Sequence, residues 1–393
     1  MLCSEIFVAG RQSDDVLADL EIDDLEALRM INTSLDKQAM LVTASLFGLI
    51  QRTASYSHDM GCALYFNGNG TSAKEGTVTA LEQARSGNDG LARLPVLKTY
   101  NNPSLETVLN EAFSEPKPAY LRRTRAVVII HKGQIIAERY ATGFGPDTPF
   151  PGWSMAKSVL NALVGILAGQ GRLDVEAPAL ISEWRTPGDN RASITVNQLL
   201  RMTSGLNFNE DMSNPLSDVT RMLLTAPDMA SFAISKSLQA QPGSEWHYAS
   251  GNSLIIARAI QNLMPTNEYK PFPYQALFSP LGMTSAVLEM DMSGTFVASS
   301  YMYATARDWA RFGMLYLNDG VWQGNRILPE GWVKYTATAT PTNPEKRYGA
   351  HFWLQIPDGY NQSRTPLPAD SIHAIGHEGQ FVTIIPSLDT VIV

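Results

Sequence analysis

Strand-like sequence stands at both ends of the region that runs from about residue 120 to the C-terminus. The run 125–140 is rich in β-branched residues and contains a central turn, which predicts a hairpin. The runs 380–385 and 390–393 have the same strand-like character. Between them, apolar residues recur at helical spacing, most clearly over 154–170. A sheet built from both chain ends with a helical lobe inserted is an α+β layered fold, which this pattern predicts.

Composition narrows the classes of protein to which the chain can belong. Apolar residues make up 44% of its 393 residues, and charged residues make up 17%, below the usual ~25%. Disordered chains have the opposite balance, so the chain is globular. The net charge is −8 and no dense basic stripe occurs, so no nucleic-acid partner is expected. The apolar run over 39–50 is too short to span a bilayer, so no transmembrane segment is expected, and no signal peptide is visible.

The chain has two cysteines, Cys3 and Cys62, which lie far apart and in no C-x-x-C motif, so zinc is not expected. Its six histidines form no H-E-x-x-H motif, and no metal or cofactor is predicted. Two interpretations of the cysteines stay open: two buried free thiols, or a disulfide between Cys3 and Cys62. A disulfide would imply the periplasm or secretion, because disulfides persist in oxidising compartments. The alternative location is the cytoplasm.

Ser154-Met-Ala-Lys157 is an S-x-x-K motif at the start of the predicted helix. Residues i and i+3 share one helix face, so the Nζ of Lys157 can reach the Oγ of Ser154. A serine hydroxyl is a poor nucleophile until a base accepts its proton, and a lysine whose pKa is lowered by burial can be that base. The N–H groups at the helix N-terminus can stabilise an oxyanion there. Taken alone, the motif is common, and a helix cap with a surface lysine is the simpler interpretation.

Two further motifs stand downstream. Tyr248-Ala-Ser-Gly-Asn252 precedes an apolar helix, and a phenol near a lysine ammonium can lose its proton more easily and act as a base. Gly376-His-Glu-Gly-Gln380 enters a strand, where a backbone N–H can bind an oxyanion and Gly379 allows close approach of a substrate. Taken singly, Tyr248 would be a packed aromatic residue and His377 a structural or surface histidine.

These three motifs, in this order, resemble the S-x-x-K, S-D-N and K-T-G set of β-lactamases and penicillin-binding proteins. The chain resembles a class C β-lactamase-like serine hydrolase and, within that superfamily, the esterase and 6-aminohexanoate-dimer hydrolase branch. Further segments agree, at 199–206, 241–243, 305–313 and 317–320. The resemblance covers about residues 120–393 and implies a β-lactamase/transpeptidase-like fold.

The resemblance also implies a division of the chain. Residues 116–393 would form the catalytic domain, with the helical lobe over about 154–330. Residues 1–115 match only loosely and would be an N-terminal extension packed on that domain. The family usually continues past the last strand into a C-terminal helix. Because this chain lacks that helix, we expect the sequence to be truncated at Val393.

The family pattern implies the catalytic roles. Ser154 would be the acylated nucleophile, Lys157 its proton partner, and Tyr248 the base that delivers the proton to the leaving group. The backbone N–H groups of Ser154 and Gln380 would form the oxyanion hole. The residues expected to bind substrate are Trp153, Ser250, Asn252, His377 and Gly379.

Two departures from the family pattern bear on the substrate. The family's Tyr-x-Asn is Tyr248-Ala-Ser250 here, so Ser250 or Asn252 must hold Lys157. The K-T-G is His377-Glu-Gly379, which lacks a permanent cation for a β-lactam carboxylate, since the unperturbed pKa of histidine is near ~6.5. We therefore expect hydrolysis of a small ester or linear amide through an acyl-enzyme. The alternatives are a β-lactamase, a D-alanyl peptidase or a catalytically weak ligand-binding homologue.

A rival interpretation concerns the same serine. Gly152-Trp-Ser-Met-Ala156 nearly matches the G-x-S-x-G nucleophile elbow of α/β-hydrolases. That fold requires a strand directly before Ser154, and then an acid and a histidine after it. The run 143–152 is rich in proline and predicts a loop, which argues against the elbow. The sequence does not predict the oligomeric state.

Overall fold

The computed structural model describes residues 1–22, 30–48, 50–58, 61–65, 94–95, 102–115, 121–179, 181–358 and 366–393. The helices in these ranges are α1 (Leu2–Phe7), α2 (Ser13–Ile22), α3 (Pro103–Ala112), α4 (Met155–Gly169), α5 (Val196–Leu200), α6 (Asp218–Thr225), α7 (Met229–Ile234), α8 (Ser250–Asn262), α9 (Thr266–Tyr269), α10 (Ser279–Leu281), α11 (Ala306–Leu317) and α12 (Trp332–Thr336). Short 3₁₀ turns cover Ser182–Trp184, Asn190–Ser193 and Pro386–Leu388, and a π-helical turn covers Tyr274–Phe278.

The strands are β1 (Ile31–Asp36), β2 (Leu41–Leu46), β3 (Ile50–Ser57), β4 (Gly61–Tyr65), β5 (Ala126–His131), β6 (Gln134–Tyr140), β7 (Pro149–Pro151), β8 (Val287–Leu288), β9 (Met302–Thr305), β10 (Val321–Trp322), β11 (Asn325–Arg326), β12 (Ile372–Gly376), β13 (Gln380–Ile385) and β14 (Thr390–Ile392).

The central sheet has the order β12–β13–β14–β5–β6, and each neighbouring pair is antiparallel. Its middle joins distant parts of the chain, since Ile392 of β14 lies opposite Ile129 of β5. The β5–β6 hairpin turns through Lys132 and Gly133, whose positive φ values of 49° and 74° are typical of a two-residue hairpin turn. The prediction of an α+β fold, with a sheet built from both ends of the region 120–393, is confirmed.

Helices cover this sheet and supply the core. Residues 155–167 of α4 are buried, as the run of apolar residues in that helix requires, and α4 contacts β12, β13 and α8. On the same sheet, α11 packs against β5, β13 and β14. The lobe between β7 and β12 is mainly helical but also contains a β7–β9–β8 sheet and a β10–β11 hairpin.

The loop predicted over 143–152 is partly wrong, because residues 149–151 form strand β7. Proline lacks the N–H that a central strand must donate, but β7 is an edge strand, where Pro149 and Pro151 are tolerated. A strand therefore does precede Ser154. It pairs antiparallel with β9, whereas helix-covered α/β sheets are mostly parallel, so this topology is not that of an α/β-hydrolase.

The N-terminal part forms a separate antiparallel sheet, β1–β2–β3–β4, beside α1. Cys3 of α1 and Cys62 of β4 form a disulfide. The buried carboxylate of Glu289 accepts hydrogen bonds from the Ser4 hydroxyl at 2.9 Å and from the Cys62 backbone N–H at 2.7 Å. These bonds attach the N-terminal part to the lobe at the end of β8. The predicted boundary at 115/116 lies beside residues 116–120, outside the described ranges, and stays a prediction.

No helix in the described part of the chain combines the length and the apolar character needed to cross a membrane.

Candidate active site

Ser154 stands where β7 passes into α4, as the N-cap residue of that helix. Gly152 precedes it, and its N–H donates to the Met302 carbonyl of β9 at 2.7 Å. A Cβ at Gly152 would lie 2.3 Å from the Trp309 ring, so only glycine fits there. Trp153 adopts a φ of 45°, a conformation that is costly for a non-glycine residue and is concentrated at functional sites. The turn that presents Ser154 is therefore held rigidly.

The Lys157 ammonium is enclosed by oxygen atoms, and the residue is only 1% exposed. Its Nζ donates to the Ser154 Oγ at 2.9 Å, to the Ser250 Oγ at 3.0 Å and to the Ser299 carbonyl at 2.9 Å. An ammonium group has three donors, so each has one acceptor here. The S-x-x-K spacing thus brings Ser154 and Lys157 together, and of the two candidates for holding Lys157 it is Ser250 that contacts it.

Burial determines the protonation of Lys157. Removal from water disfavours the charged form and lowers its pKa to about 8, while the attraction of the Glu210 carboxylate acts in the opposite direction. A lysine with such a pKa is partly neutral near neutral pH, so it can accept a proton.

Glu210 is a site residue that the sequence motifs did not indicate. Its Oε2 accepts from the Ser250 backbone N–H at 2.7 Å, and its Oε1 accepts from the Ser250 hydroxyl. Burial raises its pKa, against the opposing attraction of Lys157. Glu210 lies in an irregular segment between α5 and α6, 40 residues before Ser250, and no periodicity or motif connects the two.

The Tyr248 ring is packed on three sides. It stacks on Trp353 with ring centres 5.7 Å apart and meets Tyr348 edge-on at 5.8 Å. On the third side, the Nζ of Lys157 lies 5.0 Å from the centre of the ring. Tyr248 is therefore fixed beside Lys157, as the second motif predicts.

These residues open into a cleft of about 640 Å³, part of it open to solvent. The lining residues combine an aromatic and aliphatic wall with a few polar groups: Trp153, Ser154, Glu210, Met212, Val219, Leu223, Tyr248, Ser250, Ser300, Trp353, Pro357, Ile375, Gly376 and His377. In this described lining there is one acid and one histidine, but no lysine or arginine. The His377 side chain is 39% exposed, and its ring meets Trp153 edge-on at 5.4 Å.

The third motif, at the end of β12, touches the turn that precedes Ser154. A Cβ at Gly376 would lie 2.2 Å from the carbonyl oxygen of Gly152, so the two backbones touch. Gln380 stands opposite Gly376 at the start of β13. Glu378 and Gly379 form the connecting turn with φ values of 59° and 77°.

Two residues expected to bind substrate lie elsewhere. Asn252 is 1% exposed, and its amide oxygen accepts from the Ser204 hydroxyl at 2.8 Å while its nitrogen faces the Met202 sulfur, so it is a buried support of α8. Gly379 belongs to the β12–β13 turn and is not among the lining residues. Neither residue is among those that line the cleft, so a substrate-binding role for Asn252 and Gly379 stays a prediction. Trp153, Ser250 and His377 do line it.

Comparison with known proteins gives one family. The Beta-lactamase family model matches residues 110–393. The chain is 25% identical over 323 residues to the 6-aminohexanoate-dimer hydrolase of Paenarthrobacter ureafaciens, covering 77% of each protein.

Solved structures share the fold. A putative 6-aminohexanoate-dimer hydrolase from Bacillus anthracis superposes with a TM-score of 0.60 at 23% identity, over 77% of this chain and 81% of that one. A D-stereospecific amidohydrolase from Streptomyces superposes with a TM-score of 0.50 at 17% identity, over 68% of this chain and 87% of that one.

Proposed function

We propose that this chain, which belongs to the beta-lactamase family, is a serine hydrolase that cleaves uncharged esters or linear amides through an acyl-enzyme on Ser154. The observation that carries the proposal is the set of hydrogen bonds around Lys157. Three groups accept hydrogen bonds from Lys157. Two of them, the Ser299 carbonyl and the Ser250 hydroxyl, cannot donate a hydrogen bond back to the Lys157 nitrogen in this arrangement. A carbonyl has no proton, and the Ser250 proton is already directed at Glu210.

This arrangement fixes the orientation of the lone pair on the neutral Lys157 amine. With two N–H groups directed at Ser250 and Ser299, the remaining lone pair of neutral Lys157 points toward Ser154, 2.9 Å away. The Ser154 proton can then pass to Nζ as Oγ attacks the substrate carbonyl carbon. The bond from carbonyl carbon to leaving group breaks next, and the leaving alcohol or amine takes a proton from the Lys157–Tyr248 pair. Water then attacks the carbonyl carbon of the acyl-enzyme and gives a proton to the Lys157–Tyr248 pair. The bond from that carbon to the Ser154 Oγ breaks, Oγ takes the proton back, and the acid is released.

The remaining roles follow from position. The Ser154 N–H lies at the N-terminus of α4, and Gln380 begins the strand that faces Gly376, so these two N–H groups are proposed to bind the oxyanion. Tyr248 is proposed as the group that moves the proton to the leaving atom, because it packs beside Lys157 and lines the cleft.

The cleft favours uncharged substrates. Its walls carry Met212, Val219, Leu223 and several aromatic rings, and its described lining offers no permanent cation for a carboxylate. Two similar proteins are named a 6-aminohexanoate-dimer hydrolase and a D-stereospecific amidohydrolase, which supports amide cleavage. A β-lactamase would need a cation for the carboxylate of its substrate, which His377 supplies only when protonated.

The direct test is labelling by a fluorophosphonate probe, followed by turnover of p-nitrophenyl esters, a linear ω-amino amide and nitrocefin side by side. Ser154→Ala should abolish labelling and turnover. Ser244→Ala removes an exposed serine hydroxyl that bonds the Gln241 carbonyl and is a matched control that should label normally. Equal labelling of Ser154→Ala would refute the assignment, and preferred turnover of nitrocefin would establish a β-lactamase instead.

The disulfide supports a further part of the proposal, that the protein works in the periplasm or outside the cell. Disulfides persist there and are rare in the cytoplasm. Cell fractionation of the source organism, with antibody detection, tests this location.

A further inference from the structure

His351 contacts α4, the helix that carries Lys157, and is not part of the cleft lining. Its side chain is buried, with the residue 2% exposed, and both ring nitrogens have partners. Nδ1 lies 3.0 Å from the backbone oxygen of Lys157, and Nε2 lies 3.3 Å from the Ser253 Oγ. Because a carbonyl can only accept, Nδ1 carries the proton and donates to Lys157, and Nε2 accepts from Ser253.

The backbone of His351 is tied to the same helices. Its N–H donates to the Leu200 carbonyl at the end of α5 at 2.9 Å, and its carbonyl accepts from the Ser158 hydroxyl of α4 at 2.7 Å. Its φ is 55°, in the left-handed region that is costly for a residue with a side chain. Such a conformation persists only where surrounding contacts impose it, and here they come from α4, α5 and α8.

The bridge through His351 joins the two helices that carry the base and its support. Lys157 lies in the first turn of α4, and Ser253 lies one turn after Ser250 in α8. On the cleft side the same helices are joined by the 3.0 Å bond from Lys157 to Ser250. We infer that His351 is a positioning residue that fixes Lys157 against Ser250 and so directs the Lys157 lone pair at Ser154. The inference rests on the proposed role of Lys157 as the base.

The turn that carries His351 also supports Tyr248. Tyr348 and Trp353 face each other across this turn in an antiparallel bridge, and both rings contact Tyr248. One short turn therefore contacts both the backbone of Lys157 and the ring of Tyr248. A small displacement of the turn would disturb both groups that are proposed to move protons.

The pH dependence of labelling can separate positioning from a purely structural role. Among the described residues, the titratable groups that face Lys157 are Glu210, Tyr248 and His351. Burial and the Lys157 charge lower the pKa of His351 to about 3, so it stays neutral between about pH 6 and pH 10. Loss of the imidazole would admit water beside Lys157. Since burial is what lowers the Lys157 pKa to about 8, hydration would raise it.

The experiment is the rate at which a fluorophosphonate labels Ser154 between about pH 6 and pH 10, in the parent protein and three variants, with thermal unfolding as the check on folding. His351→Gly removes both side-chain bonds and relieves the strained φ. Its labelling rate should fall about ten- to a hundredfold. The pH limb, meaning the range over which the labelling rate rises with pH, should move to higher pH. His351→Asn tolerates the left-handed backbone and can keep a donor near the Lys157 carbonyl, so its rate should stay within about threefold. Ser253→Ala should shift rate and limb in the same direction as His351→Gly, but less.

An unchanged rate and pH limb in folded His351→Gly would overturn the inference, and so would a slower rate with an unmoved limb, which indicates a structural role alone. If His351→Gly does not fold, Ser253→Ala decides by the same two criteria. A parent protein that the probe does not label would overturn the proposed function itself. That outcome is distinct, because failure of the inference alone leaves the parent fully labelled.

Discussion

The Nζ of Lys157 lies 5.0 Å from the centre of the Tyr248 ring. A cation over an aromatic face is stabilised by the charge distribution of the ring, so this contact favours the protonated lysine while burial favours the neutral one. The ring of Tyr248 therefore acts on the charge of Lys157, while its hydroxyl can act separately in proton transfer.

Tyr248→Phe keeps the ring that packs on Lys157, Tyr348 and Trp353 but removes the hydroxyl. If that hydroxyl moves the proton to the leaving group, kcat should fall by about 10²- to 10⁴-fold, while the folded state is kept. Tyr335→Phe, which removes a hydroxyl bonded to Asn197 outside the cleft, is the matched control. Steady-state ester hydrolysis measures both. A Tyr248→Phe enzyme with normal kcat would exclude the tyrosine as a proton carrier.

Lys157→Ala should reduce kcat about as much as Ser154→Ala, because members of one catalytic unit do not act additively. In the unmutated protein, kcat/KM should increase as pH rises through about 8, where Lys157 loses its proton in the folded state. Near-normal kcat in Lys157→Ala, together with an inactive variant of His377, the histidine that lines the cleft, would instead favour a serine–histidine mechanism.

Glu210→Gln removes a negative charge that favours the protonated form of Lys157. The Lys157 pKa should fall, so the rising limb of kcat/KM should move to lower pH, the opposite of the shift expected for His351→Gly. Glutamine has only one acceptor oxygen, so one of the two hydrogen bonds from Ser250 is also lost, which should reduce kcat roughly tenfold. A limb that moves to higher pH in Glu210→Gln would contradict the charge relationship inferred between Glu210 and Lys157.

His377→Lys places a permanent cation at the cleft, where the native side chain is 39% exposed. The preference between substrates should shift toward carboxylate-bearing ones by about 1 kcal/mol, a small effect because water screens an exposed charge. The measurement is the ratio of kcat/KM for nitrocefin and a short-chain ester in both proteins at pH 7.5, where unperturbed histidine is mostly neutral. A tenfold or greater preference for nitrocefin in the unmutated protein would show that the cleft does not require the added cation.

The Cys3–Cys62 disulfide predicts an intact mass that rises by two hydrogens on reduction. Replacing both cysteines by serine should lower stability by about 2–5 kcal/mol, measured as the denaturation midpoint, while Ser154 labelling persists. Two alkylatable thiols in the denatured, unreduced protein would contradict the disulfide.

Local motifs predicted the parts of the site that depend on neighbours in sequence. Ser154 and Lys157 come together because they lie one helical turn apart. The strands over 126–140, 380–385 and 390–392 were predictable for a similar reason, since each has its own apolar run, whereas the strand over 372–376 was not predicted. Glu210 and His351 were not predictable. Each lies in irregular chain and reaches the site only through the packing of distant segments, which leaves no periodic trace in the sequence.

The same limit explains the position of Asn252 and the missed strand. Asn252 lies in the first turn of α8, as does Ser250, but it is rotated away from the cleft, and only the packing of α8 against Ser204 and Met202 determines which of the two faces Lys157. The three-residue strand β7 contains two prolines, and its pairing depends on β9, about 150 residues later.

The pairing of β5 with β14 has a consequence for synthesis of the protein on the ribosome. Ile129 needs Ile392 as its neighbour, so β5 keeps an unpaired edge until almost the whole of this chain has been made. Ser154 and Lys157 emerge long before that, together with the Ser250 that must hold the lysine. Contacts between such distant segments form slowly, and exposed edges invite aggregation in the meantime. The proposed site in the nascent protein therefore stays incomplete until β12, β13 and β14 have joined the sheet.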